Sequence, residues 1–400
     1  MGQSRHITLP EGFIAAGVHC GIKTSGSEDL AVIASKSQAS AALLTTSNQV
    51  VGAPVLRCRQ VLPRGYGKIR GIVINSGMAN VCTGQRGAAD AEAMTVLTAR
   101  LIGAKPDEIL VASTGVIGHR LPMPKIRRGI TAACRNLSRG DDGAVLRAIM
   151  TTDTKEKSAV VQTRIGSEKV TLAGIVKGAG MIAPSLATMI SIITTDAKIA
   201  PSLLWRTLKA VAAETFNAVT VDSDQSTSDT IVTLASGLAG TKIQSGSSAH
   251  RKFAGALVEV CRKLAVAMAR DGEGATKLIQ ITVKSAATKA DAVAASKSVA
   301  NSPLVKCAVH GADPNWGRIV MAVGNSTANV DPAKISVTIG DIKTYANGLP
   351  RNFSHRAVRE HLKGDTVFIE VSLGMGREKF TAYTCDLSGA YVKINADYHT

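Results

Sequence analysis

Gly174-Ile-Val-Lys177-Gly-Ala-Gly180-Met-Ile-Ala-Pro184-Ser-Leu-Ala187-Thr188-Met-Ile-Ser-Ile-Ile-Thr-Thr-Asp196-Ala197 is the stretch on which the reading of this chain turns. Two runs rich in β-branched residues, Val170–Val176 and Thr188–Thr195, flank a segment punctuated by glycines and one proline, which reads as strand, turn and strand. On pattern alone Thr188 is a strand residue suited by its β-propensity. A phosphate-binding loop fits less well, because no Lys-Ser/Thr pair follows the glycines and no helical period begins there. A sharper reading makes Thr188 a nucleophile that attacks the carbonyl of Ala187. A threonine hydroxyl is weakly nucleophilic at neutral pH, and cleavage supplies an α-amino group of pKa near 8 on the same residue as its base. Ala187 is small enough to leave room for the attack, and Gly178 and Gly180 allow backbone shapes that other residues hold only at a cost.

Outward from this segment, further strand-like runs lie at Gly71–Gly77, Ile109–Ser113, Leu278–Val283, Ile335–Ile339, Val367–Leu373 and Lys379–Thr384. Helical spacing of apolar residues marks Ala88–Ile102, Leu203–Val219, Phe253–Arg270 and Asp291–Val299, and Gln244–Ser248 reads as an exposed loop. Strands and helices alternate throughout, so the fold class is mixed α/β, with a catalytic centre between sheets.

The chain has 400 residues, 45% of them hydrophobic and only 3% aromatic, enough for two or three cores packed with aliphatic residues and alanine. Its seven cysteines are scattered, with neither a CxxC pair nor a histidine at zinc spacing, and read as buried free thiols of a cytoplasmic protein with no metal and no organic cofactor. No apolar run reaches membrane-spanning length, so no membrane association is expected. The net charge of +17 raises the question of a polyanionic partner, but the basic residues are dispersed and few aromatics are present to stack on bases. No nucleic-acid partner is expected, and a positive surface suits anionic metabolites.

Lys177 to Ala197 resembles the self-cleavage segment of the ornithine acetyltransferase family. Pro10–Lys23, Ile74-Asn-Ser-Gly77, Ser113-Thr-Gly-Val-Ile-Gly118, Met150–Thr154, Asp222–Thr230, Asp271–Thr276, Gly311–Arg318 and Tyr391–Thr400 resemble the same family in order, nearly end to end. The resemblance implies a layered αββα sandwich of the self-cleaving N-terminal-nucleophile type with a smaller C-terminal α/β domain. It implies an α chain of residues 1–187 and a β chain of residues 188–400 that begins with the nucleophile Thr188, assembled as a heterotetramer of two of each. Acetyl would pass from N2-acetylornithine to Thr188 and then to glutamate in arginine biosynthesis, with acetyl-CoA as a further donor to be tested. Thr114 and Gly115 match the family's oxyanion hole, although Ser-Thr-Gly alone is an ordinary turn. Thr154, Lys177, Thr188, Glu273, Asn395 and Thr400 match substrate contacts. Lys177 suits a carboxylate and Glu273 an ammonium, while a lone lysine or a turn glutamate is otherwise a solvated charge.

Asp313-Pro-Asn-Trp-Gly-Arg318 carries no catalytic assignment; Trp316 and Arg318 read as packing residues and His310 as structural. Met78 stands where the resemblance leads one to expect a polar residue. Two other function classes compete: an amidohydrolase or aminopeptidase that gives the acyl-enzyme to water, and a non-enzymatic anion- or nucleic-acid-binding protein in which Thr188 is only a strand residue.

Overall fold

The computed structural model describes residues 6–140, 142–183 and 189–397. In chain order the first strands are β1 (Phe13–Val18), β2 (Leu30–Thr45), β3 (Tyr66–Met78), β4 (Ile109–Val116), β5 (Ser158–Ile165), β6 (Glu168–Lys177) and β7 (Ile190–Thr195). The short β8 (Lys198–Ile199), then β9 (Thr230–Ala235) and the short β10 (Lys242–Ile243) follow, and β8 pairs with β10. The remaining strands of this part form one ladder in the order β4-β3-β2-β9-β7-β6-β5, with β1 on the second edge of β2.

This ladder cannot be flat. Lys177 at the end of β6 reaches Thr114 on β4 with Nζ 3.1 Å from Oγ1, whereas five interstrand spacings would hold them roughly 24 Å apart in a flat sheet. The bend is in β2. β3 pairs along both halves of one edge, while the other edge is taken by β1 over the first half and by β9 over the second, and between the halves the register slips across Lys36–Gln38, which point to solvent. The sheet thus folds over into two facing halves. Ile175, Ile190, Ile192, Val232 and Leu234 turn into the core shared with β1 to β4. The alternate residues Leu172, Val176, Ile193 and Ile231 turn outward into the second core, as the two-residue period of a strand buried on both faces requires.

Helices cover both outer faces. Four of them, α1 (Ala53–Val61), α2 (Gly84–Ile102), α3 (Met123–Arg135) and α4 (Gly143–Ile149), pack on the first half, while α6 (Ser248–Arg270) packs on β5 and β6 of the second and α5 (Pro201–Glu214) packs beside it against β2 and β3. The helix expected over Leu203–Val219 ends sooner, at Glu214, and gives way to a short 3-10 turn, Phe216–Ala218. The helix expected from Phe253 begins earlier, because Ser247 caps it by accepting the His250 N–H at 3.1 Å.

The smaller C-terminal part carries β11 (Leu278–Ala286), β12 (Ser336–Ile339), β13 (Ile342–Ala346), β14 (Leu349–Pro350), β15 (Thr366–Ser372) and β16 (Glu378–Cys385) in a six-stranded mixed sheet. Its helices are α7 (Lys289–Asn301), α8 (Pro303–His310), α9 (Trp316–Gly324) and α10 (His355–Leu362), and the chain returns to the large sheet as α11 (Gly389–Asp397). Trp316 stacks on Tyr345 with ring centroids 4.8 Å apart, Arg318 donates to the Leu304 carbonyl at 3.0 Å, and His310 meets Asp386 at 2.7 Å. All seven cysteines are free thiols, but only Cys58, Cys261 and Cys385 are buried; Cys20 and Cys134 are half-buried, and Cys82 and Cys307 are exposed. Among the described residues no helix is long and apolar enough to cross a membrane.

Candidate active site

The register Lys177↔Ile190 makes β6 and β7 antiparallel neighbours, so Lys177 and Ile190 stand side by side at one end of the folded sheet. A cavity of about 400 Å³ opens there. Thr114 and Gly115 from β4, Lys177 from β6, Glu273 after α6 and Asn395 from α11 all line it. Tertiary folding thus brings five of the predicted residues together. Ala187, Thr188 and Thr400 lie outside the described residues.

Each wall is set by local chemistry. Gly115 has φ +122°, and a Cβ there would lie 2.3 Å from the carbonyl carbon of Gly77, its partner in the parallel β3–β4 register. Only glycine lets the two strands approach this closely. The adjacent Thr114 is buried, and its Oγ accepts from the Lys177 ammonium, which leaves its O–H free to donate elsewhere. Gly180 matters for a different reason: a Cβ on it would lie 2.3 Å from the Glu273 carboxylate. Glu273 is further held by its own N–H on Ala179 O at 2.8 Å and by Asn395, whose Nδ2 donates to Oε2 at 2.8 Å.

Both cations, Lys177 and Lys157, are buried. Burial pulls the Lys177 amine below its ordinary value, opposed chiefly by the Asp153 carboxylate. Burial pushes Asp153 up, but Lys177 and Lys157 together hold it below the ordinary Asp range. Lys157 bridges Asp153 at 2.6 Å and Asp271 at 2.5 Å, and Asp153 also accepts the Gly178 N–H at 2.7 Å. Thr154 belongs to this network and not to the cavity wall. Its N–H donates to Asp271 Oδ2 at 3.1 Å, and its hydroxyl donates to the same carboxylate. Thr151 and Thr152 line the cavity in its place.

Sequence reading assigned no role to Asp222 or Tyr391, which also line the cavity. Asp222 accepts the Met181 and Ile182 N–H groups at 2.6 and 2.8 Å, and burial raises its carboxyl above the ordinary range. The Tyr391 hydroxyl donates to Asp222 at 3.3 Å, tying α11 to the connection after β6. The signal for them was membership of the matching segments Asp222–Thr230 and Tyr391–Thr400, which marks a region and not a role. Met78, where a polar residue was expected, offers its carbonyl to Asn75 Nδ2 at 2.9 Å, so backbone satisfies the buried amide there.

A model of the ArgJ family matches residues 14–400. The arginine biosynthesis bifunctional protein ArgJ of Symbiobacterium thermophilum is 44% identical over 400 residues, covering 98% of either chain. The protein of the same description from Bacillus cereus is 42% identical over 395 residues, covering 98% of this chain and 96% of that one. A crystal structure of arginine biosynthesis bifunctional protein argJ from Bacillus halodurans aligns at 42% identity and TM-score 0.50, covering 51% of this chain and 97% of the solved chain.

Proposed function

Since this chain belongs to the ArgJ family, we propose that it cleaves itself between Ala187 and Thr188 and transfers acetyl from N2-acetylornithine to glutamate through an ester on Thr188. The observation that carries the reading is the meeting of Lys177, Thr114 and Glu273 in one cavity, at the end of the sheet where Lys177 and Ile190, on either side of the Thr188 connection, stand side by side. A buried cation and a carboxylate across a small cavity complement the carboxylate and ammonium of amino-acid substrates.

In this mechanism the freed α-amine takes the Thr188 hydroxyl proton as the oxygen attacks the acetyl carbonyl. The Thr114 hydroxyl and Gly115 N–H donate to the oxyanion as it forms. Ornithine leaves with the proton, glutamate's amine attacks the ester, and acetylglutamate departs. Thr154 acts through Asp271 and Lys157 by holding Gly178 at the start of the connection, while Asn395 fixes Glu273. Thr400 completes the proposed substrate contacts. The α chain 1–187 and β chain 188–400 stay joined, because β6 and β7 are adjacent rungs of one ladder. That the solved Bacillus halodurans chain aligns with about half of this one is in keeping with a mid-chain cut in that protein. The reading extends to two α and two β chains in a cytoplasmic enzyme, and to acetyl-CoA as an alternative donor.

Denaturing electrophoresis with N-terminal sequencing tests it. The purified protein gives two fragments, the second starting Thr188-Met189-Ile190, and Thr188→Ala gives one inactive full-length chain. Normal processing of the alanine variant refutes the mechanism. Acetyl transfer is scored against free acetate, and dominant acetate would make the enzyme a hydrolase; parallel reactions with acetyl-CoA decide whether it serves as donor.

A further inference from the structure

Described backbone reaches Met189, one residue beyond the proposed nucleophile, and there β7 is held from one side by the start of β9. Met189 N–H donates to Asp229 Oδ1 at 2.8 Å, and Met189 O accepts from Thr230 N at 2.9 Å. The parallel register Ile190↔Thr230 continues this pairing along the strands. Asp229 is fully buried, and its second oxygen, Oδ2, has no hydrogen-bond partner among the described residues. The hydroxyl of Thr46 lies nearby, but its proton goes to Ser226 O at 2.6 Å. Lys177 on β6 is the cation that acts on this carboxyl; Lys177 itself is hydrogen-bonded to Thr114.

A buried carboxylate oxygen without a partner costs on the order of 1–3 kcal/mol or more, so such a group calls for a physical reason. Burial raises the Asp229 carboxyl well above the ordinary range, against the opposing pull of the Met189 N–H. A cation arriving at Oδ2 would remove that penalty. The covalent chain supplies one: three backbone bonds join Met189 N to the nitrogen of Thr188, which confines the two atoms to about 4 Å of each other.

We propose that Oδ2 of Asp229 accepts a hydrogen bond from the α-amino group of Thr188 once cleavage releases it, making Asp229 a positioning residue for the catalytic base. The inference rests on the cleavage reading above. The amine takes the proton of the Thr188 hydroxyl while the Oγ–carbon bond forms and the carbonyl π pair moves to oxygen. The resulting ammonium is stabilised by the facing carboxylate, and collapse of the oxyanion returns that proton to the departing amine. Asp229 completes a nucleophile, base and orienting-acid series in which the base belongs to the nucleophile's own residue.

Asp229→Asn tests the assignment, since the amide keeps an acceptor for the Met189 N–H and loses the second carboxylate oxygen. The variant should cut into the same two fragments as the parent. Its kcat for acetyl transfer should fall roughly a hundredfold, the scale of general-base catalysis, with KM little changed. The acid limb of its kcat/KM profile should move to lower pH: a neighbouring carboxylate raises an amine's pKa, and the active amine is neutral. A merely structural role would leave that limb in place. Unchanged kcat and pH limb in the cut variant overturn the proposal, and so does an uncut variant, which would assign Asp229 to folding or peptide-bond cleavage. Independently of any variant, ¹⁵N NMR of threonine-labelled parent enzyme titrates the amine. A pKa above the ordinary range of about 7.7–8.0 supports the contact, and one at or below it overturns it. An uncut parent chain is read on the same gel and removes the underlying cleavage reading itself.

Discussion

The two walls of the cavity are built in opposite ways. Lys177 stands on β6, laddered on both sides, and Thr114 and Gly115 on the edge strand β4, laddered to β3 along its whole length, and the Lys177 amine is buried and bonded to Thr114. The facing wall is α11, which buries none of its residues and is fastened chiefly by polar contacts, Asn395 to Glu273, Tyr391 to Asp222 and the Ser388 hydroxyl to Gly274 O at 2.6 Å. A wall locked by backbone hydrogen bonds holds donors where charge develops during reaction, which is where placement matters most. A wall held by a few side chains has a lower opening free energy. On the proposed mechanism, chemistry belongs to the strand wall, and the helix wall governs how firmly substrate is held.

Substitutions ranked by expected effect can break that division. Asp153→Asn strikes the support behind the strand wall and should cost about 3–5 kcal/mol, because Lys157 and Lys177 lose a buried partner; denaturant unfolding measures it. Its pH signature has a definite sign. Asp153 is held below its ordinary value of 3.8, so its contribution to stability is complete above that pH and is lost as pH falls through the lower, folded-state value. The parent's stability should decline more steeply than the variant's below pH 3.8.

Next comes Thr114→Val, which removes one proposed oxyanion donor and should lower kcat about 10²–10³-fold with the chain still folded. An unchanged kcat would remove the strand wall from the chemistry. Smaller effects belong to the helix wall. Asn395→Ala should raise KM about tenfold and leave kcat within about twofold, the scale of one hydrogen bond to a charged group. Tyr391→Phe, which deletes a longer contact, should raise KM less than about threefold. A large kcat loss from Asn395→Ala would abolish the distinction between the walls.

Much of this was legible in the sequence where the cause is local. The β-branched run 170–176 and most of the run expected from 188, namely Ile190–Thr195, form strands because each residue suits a pleated, buried surface. Glu273 could be tied to substrate by resemblance, but the need for Gly180 beside it appeared only when the Glu273 carboxylate was seen filling the space of a missing Cβ. The strand β2 was not legible at all. Leu30–Thr45 is rich in alanine and serine, residues with little intrinsic call for a strand, and it is extended because β1, β3 and β9 pair along its two edges.

Sequence by itself thus determined the mixed α/β class, the order of the strands on either side of the 178–189 connection, and, through resemblance, the ArgJ family and the residues proposed for its site. Tertiary structure decided which of them meet. Thr114 and Lys177 touch because β2 bends at Lys36–Gln38 and lays one half of the sheet over the other, while Thr154 is drawn behind the wall by Asp271. Such meetings depend on pairings between segments far apart in the chain, and short-range propensity carries no record of them.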